Sequence, residues 1–247
     1  MGIELDMRNE LEKPAPGKLV NVNGCNMHVF SDGQGDKTFV FMSGCGTACP
    51  FLDFKPLWSL LSADHRIAVV DKAGYGWSEH TNKSRDINTL VSDNREALKL
   101  AGIEPPYFLV PHSLSGFEAI YWAQNHPEEI KAIIGLDPRV PTYEKLPPRL
   151  FMKLLKITGV FSSDMINEIN HLKENAEIIN RLPLPRATPI YFFIAERNRK
   201  DWKETLIGYL SNFEISKYTL LPCNHYVYRH EFNRIADEII AFVNGVS

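Results

Sequence analysis

Ser113 stands in Phe108-Leu109-Val110-Pro111-His112-Ser113-Leu114-Ser115-Gly116, where an apolar run gives way to an amphipathic one. Residues 107–110 read as a short buried strand. Leu114, Phe117, Ile120 and Tyr121 then recur at the spacing of one helix face. A serine at such a junction has two uses. Its side-chain oxygen caps the helix, or a sharp strand–turn–helix displays its hydroxyl above the sheet as a nucleophile. In the second case the helix N-terminus aims free N–H groups at developing negative charge. A serine hydroxyl attacks only when a base takes its proton, so further polar partners must come from other elements. Cys45 and Cys49 have a spacing that invites a metal, but no compact Cys/His pair follows them. They read as thiols, together with Cys25 and Cys223, and no metal site is expected.

The elements that must position this serine alternate along the chain. Strand patterns occur at 19–22, 27–31, 38–42, 66–70, 107–110, 130–136, 189–195 and 218–221, and helix patterns at 54–62, 89–101, 116–125, 202–211 and 229–244. Three strands come first, then helix and strand in turn. That order implies right-handed crossovers and a mainly parallel sheet covered on both faces. The Gly- and Asp-rich stretch Ser31-Asp32-Gly33-Gln34-Gly35-Asp36-Lys37 suits a hairpin between the second and third strands. Residues 138–186 break the rhythm, with two or three helical patterns and no strand. Leu150, Leu154 and Phe161 fall roughly on one helix face there, as expected of a lid over the carboxyl end of the sheet, where open α/β folds bind ligands. The chain therefore divides into an N-terminal arm (1–18), a core (19–137 and 187–247) and a helical lid insert (138–186).

Composition limits the function. The 247 residues carry 27 basic and 30 acidic side chains, a net charge of -3, without the basic excess of a nucleic-acid binder. No apolar run is long enough to span a bilayer. The first residues lack the basic and apolar regions of a signal peptide, and Asp6 breaks the myristoylation pattern. The expectation is a cytoplasmic protein with no stable membrane anchor and no nucleic-acid partner. Oligomeric state leaves no trace in the sequence.

Pro111-His112-Ser113-Leu114-Ser115-Gly116, Ser43-Gly44-Cys45-Gly46, Asp71-Lys72-Ala73-Gly74-Tyr75-Gly76-Trp77-Ser78 and Asn224-His225-Tyr226 together resemble the α/β-hydrolase superfamily, from about residue 19 to 245. The resemblance implies an α/β-hydrolase fold with a mostly parallel eight-stranded sheet, a small lid and no cofactor. It places Ser113 as nucleophile at an elbow that departs from Gly-x-Ser-x-Gly, with Pro111 and Ser115 in the glycine places. It gives the backbone N–H groups of Cys45 and Leu114 to the oxyanion hole, and His225, after the last strand, the role of base. Gly44, Leu150, Leu154 and Phe161 are expected to face substrate, with Tyr75 or Trp77 as further lining.

The acid is less direct. Relatives take it from the loop after the seventh strand, but Ala195-Glu196-Arg197-Asn198 has asparagine at the aspartate position. Asp137, in Gly135-Leu136-Asp137-Pro138, resembles the acid site of pancreatic-type lipases, and Glu196 is the alternative. The implied activity is a carboxylesterase-like serine hydrolase, cleaving a small or medium ester or related acyl substrate through an acyl-enzyme. A cofactor-free lyase or perhydrolase on the same triad, and a ligand-binding protein with little turnover, remain as alternatives. Dehalogenase and epoxide-hydrolase chemistry is disfavoured, because those relatives use aspartate where Ser113 stands.

Overall fold

The computed structural model describes residues 11–141 and 161–246. Eight strands form one sheet: β1 (Lys18–Val22), β2 (Cys25–Asp32), β3 (Thr38–Met42), β4 (Arg66–Val70), β5 (Tyr107–Pro111), β6 (Ile130–Leu136), β7 (Ile190–Ala195) and β8 (Ser216–Leu221). Their spatial order is β1-β2-β4-β3-β5-β6-β7-β8. The described helices are α1 (Pro50–Asp53), α2 (Lys55–Leu61), α3 (Ile87–Ala101), α4 (Ser115–Asn125), α5 (Ser163–Asn170), α6 (Leu172–Arg181), α7 (Lys200–Leu210), α8 (Val227–His230) and α9 (Phe232–Gly245).

The inner parallel strands β3 to β7 are buried on both faces, and their side chains divide by parity. Phe39 and Phe41 of β3 join one core with Leu57, Trp58, Phe193 and Ile239. Val40 and Met42 join the other with Val91, Phe117, Ile179 and Leu206. Period-two alternation between two apolar layers explains why the strands read as continuous apolar runs. Truncating a buried phenylalanine here would cost about 3–5 kcal/mol.

The expected hairpin between β2 and β3 is not formed. Strand β2 pairs antiparallel with β1 and β4, while β3 pairs parallel with β4 and β5. The tight hairpin joins β1 to β2 instead, with Val22 opposite Cys25. Its two-residue loop is Asn23-Gly24, with φ of 54° and 90°. That is a primed turn, whose twist matches antiparallel strands. Every residue of β3 is buried, so β3 belongs inside the sheet, whereas β2 ends in exposed residues. The stretch after β2 is therefore a crossover.

Helix boundaries follow local chemistry. Asp86 caps α3 by accepting the Thr89 N–H at 3.0 Å, and Gly102 ends it at φ 78°. In the 138–186 stretch α5 and α6 are both present; Ser162 caps α5 through the Met165 N–H at 3.2 Å. Leu150 and Leu154 lie outside the described residues. The carboxyl ends of β3, β5, β6, β7 and β8 open on one edge of the sheet, and the loops leaving them carry the candidate site.

Candidate active site

Ser113 lies between β5, which ends at Pro111, and α4, which begins at Ser115, with a left-handed φ of 52°. A non-glycine residue in that region costs of order 1–3 kcal/mol and persists only where its surroundings impose it. Here they do. The His112 N–H donates to the Met42 carbonyl at 2.9 Å, and the Gly116 and Arg139 N–H groups donate to the Ser113 carbonyl at 3.0 and 2.7 Å. The departures from the glycine pattern are accommodated. Pro111 ends β5, and the next ladder donor is the His112 N–H rather than its own missing one. Ser115 is fully buried and donates to the Met42 and His112 carbonyls at 2.6 and 2.8 Å. The crowding that demands glycine falls one residue later, where a Cβ on Gly116 would collide with the Arg139 carbonyl.

Gly44 packs against the elbow so closely that a Cβ would lie 2.6 Å from the Ser113 Cβ. Cys45 follows it, half-buried, with its thiol 3.6 Å from the Met165 carbonyl. Burial, then the nearby Glu168 carboxylate, push the Cys45 thiol up to about 12. It stays protonated and is no nucleophile at neutral pH. Leu114 precedes the first residue of α4, at the positive end of the helix dipole. Phe161 crosses the same loop, its ring placed where a Cβ on Gly46 would approach within 3.2 Å. Tyr75 is buried beneath this loop rather than lining a cleft. Trp77 packs on His28 and Phe51.

The structure brings Asp137 and His225 together. His225 Nδ1 lies 2.6 Å from Asp137 Oδ2. This bond selects the Nδ1–H tautomer and leaves Nε2 as the basic nitrogen. Asp137 is wholly buried and has φ 47°. Its Oδ1 accepts the Ala195 N–H at 3.0 Å and the Trp202 indole N–H at 3.1 Å. Its Oδ2 also accepts the Asn198 amide at 2.8 Å. The buried carboxyl thus has four hydrogen-bond partners that offset its loss of solvent. Glu196, the alternative acid, is exposed on the loop after β7. The Ser113 hydroxyl makes no hydrogen bond within the described residues. Such contacts are often long without substrate and tighten when it binds.

His112, next to the nucleophile, points the other way. It is buried, its ring 4.6 Å from that of His225, and Nε2 lies 3.3 Å from the His225 carbonyl. Burial, reinforced by His225, holds it well below the ordinary histidine range, so it is a neutral support for the His225 loop. Behind it Tyr228 donates to Asp53 at 2.7 Å, and Arg229 pairs with the same carboxylate. Two contributors escaped the sequence reading. Trp202 serves Asp137 from a helix whose periodicity shows only an apolar face, and Asn198 stood in the sequence only as a neutral residue at the usual acid position. The grouping His126, Glu128 and Glu129, with metal-ligand spacing, lies beyond α4, and Arg95 and Trp122 already engage Glu129.

Residues 50–167 match a family model described as alpha/beta hydrolase fold. The chain is 33% identical to the uncharacterized protein YbdG of Bacillus subtilis (strain 168), over 93% of this chain and 86% of that protein. Among solved structures it is similar to Cfl2 from Burkholderia cenocepacia, with a TM-score of 0.76 at 17% identity, covering 91% of this chain and 94% of that one. It is also similar to the enol-lactonase from Burkholderia xenovorans LB400, with a TM-score of 0.71 at 16% identity, covering 92% and 100%.

Proposed function

The chain belongs to the alpha/beta hydrolase superfamily, and we propose that within it this protein is a serine hydrolase acting on a small or medium carboxylic ester. The observation that carries this reading is the Asp137–His225 contact of 2.6 Å behind a serine held at φ 52°. In the proposed reaction Ser113 Oγ attacks the ester carbonyl carbon while His225 Nε2 takes the hydroxyl proton. The carbonyl oxygen becomes an oxyanion facing the Cys45 and Leu114 N–H groups. The tetrahedral intermediate then collapses. The carbon–oxygen bond to the alcohol breaks, and His225 returns the proton to that leaving oxygen. A water molecule, deprotonated by the same nitrogen, releases the acid from Ser113.

Asp137 keeps its charge throughout and stabilises the imidazolium. The neutral Asn198 could not do this alone. The chemistry of a lactonase, an internal ester, is compatible with the same steps. Phe161 beside Gly46 supplies an apolar wall for an acyl group. Treatment with a fluorophosphonate probe, followed by peptide mass mapping and a panel of p-nitrophenyl esters, tests the proposal. Labelling of Ser113 and turnover of short to medium esters are expected. An unlabelled Ser113 would overturn the nucleophile assignment. A labelled enzyme that turns over no ester would move the reaction to a lyase or perhydrolase.

A further inference from the structure

Beneath the oxyanion loop lies a charged cluster that the proposed chemistry does not use. Lys72, in the loop after β4, donates to Glu118 at 2.9 Å and to Glu168 at 2.7 Å. The three side chains are no more than 3% exposed. Asn94 of α3 donates to the other oxygen of Glu118 at 2.9 Å, and the Tyr75 hydroxyl donates to the other oxygen of Glu168 at 2.8 Å. Burial alone would lower the Lys72 ammonium, but Glu118 and Glu168 outweigh it and hold it protonated. Burying three charges is costly, and such a cluster is often no more stable than apolar packing of the same volume. Its position gives it a use.

Each carboxylate leads to one half of the expected oxyanion hole. Glu118 lies one turn beyond Leu114 on the helix that the elbow opens. Glu168 is on α5, and its carboxylate, with the Tyr75 hydroxyl that donates to it, lies near the Cys45 thiol. The same helix presents the Met165 carbonyl to that thiol at 3.6 Å. Ser43, which begins the oxyanion loop, is buried in the same crevice as Lys72, Asn94 and Glu118. One ammonium thus joins α5 to the nucleophile helix, in a crevice shared with the start of the oxyanion loop.

We infer that Lys72, Glu118 and Glu168 form a positioning cluster that sets the Cys45 and Leu114 N–H groups relative to each other and ties that setting to the seating of α5. Glu168 is the member that makes the tie. It touches neither substrate nor reacting atoms and acts through Tyr75 and Lys72. The inference rests on the reading of Ser113 as a nucleophile, but backbone placement can be measured without turnover.

The experiment compares wild type with Glu168→Gln, Tyr75→Phe and, as a control, His80→Gln. His80 holds a separate polar anchor of α5, pairing with Asp164 at 2.7 Å. Amide hydrogen exchange is followed in peptides covering residues 43–48 and 113–117, alongside kcat and KM for a p-nitrophenyl ester. Glu168→Gln is expected to speed exchange in both peptides and lower kcat by about 10–100-fold, less than outright loss of a donor, with KM nearly unchanged. Tyr75→Phe retains every charge and is expected to affect the 43–48 peptide and kcat only. His80→Gln is expected to change neither.

Unchanged exchange and kcat in folded Glu168→Gln overturn the inference. So does faster exchange with unchanged kcat in an active enzyme, or an equal response to His80→Gln. Should Glu168→Gln fail to fold, Tyr75→Phe decides alone by the same criteria. If wild type hydrolyses no ester while exchange responds as expected, the positioning cluster stands and the ester reading falls.

Discussion

Asn198 donates its amide to Asp137 Oδ2 at 2.8 Å, while its own nitrogen lies 3.4 Å from His225 Nδ1. The residue at the usual acid position therefore serves a carboxylate supplied by the neighbouring strand. Asp137→Asn should lower kcat by about 10⁴-fold, because it removes the charge and permits the wrong tautomer. Glu196→Gln should be nearly silent. In the Asp137→Asn background, Asn198→Asp should restore part of the loss, since it returns a carboxylate within reach of the same nitrogen. Single-turnover ester kinetics on the four proteins reads this out. Activity that depends on Glu196 would transfer the role there.

Ser113→Ala should abolish probe labelling and reduce ester turnover by several orders of magnitude. The left-handed backbone at Ser113 is strained for alanine as much as for serine, so the melting temperature should barely move. Retained labelling, mapped to another residue by mass spectrometry, would dismiss Ser113 as the acylated group.

Gly44→Ala tests the close approach beneath the elbow. Its Cβ would meet the Ser113 Cβ at 2.6 Å and the His112 carbonyl at 3.0 Å. The loop must retreat and carry the Cys45 N–H with it. Overpacking of this kind costs about 1–3 kcal/mol. Misplacing one oxyanion donor should cost up to about 10²–10³ in kcat. A variant with wild-type kcat would show that this N–H does not face the oxyanion.

His112 predicts a pH dependence with a definite sign. Burial lowers its folded pKa well below 6.5, so between that value and 6.5 the unfolded chain binds more protons. Stability is then full above about pH 6.5 and falls on acidification, with a slope approaching ~1.4 kcal/mol per pH unit from this group. The titratable groups facing it are His225, Tyr226, Tyr228 and, behind them, Asp53 and Arg229. His112→Phe removes the titration and keeps a ring. Its denaturation midpoint should change less than wild type between pH 7.5 and 5.5. Parallel curves for the two proteins would contradict a neutral buried His112.

Local signals located much of this molecule. Apolar patterns marked all eight strands: the inner ones are apolar on both sides because both are buried, and the edge strands β1 and β8 keep apolar residues where they face the core. The strand–turn–helix around Ser113 was legible for the same reason, since residues adjacent in sequence make the elbow. Asn23-Gly24 was an equally local signal for the β1–β2 hairpin, and the longer Gly-rich stretch after β2 concealed it. Strand order, by contrast, was decided by pairing at a distance. That β4 inserts between β2 and β3 follows from which strand could bury both faces. Resemblance put Asp137 ahead of Glu196, but spacing alone says nothing of which carboxylate at the ends of β6 and β7 reaches the histidine. Only the folded loops show that Asp137 points at His225 while Asn198 and Trp202 turn their donors onto it. The cluster of Lys72, Glu118 and Glu168 had no pattern at all. Its members sit far apart in the chain, and an ion pair is a relation in space, where Coulomb attraction and shared burial depend on distance alone.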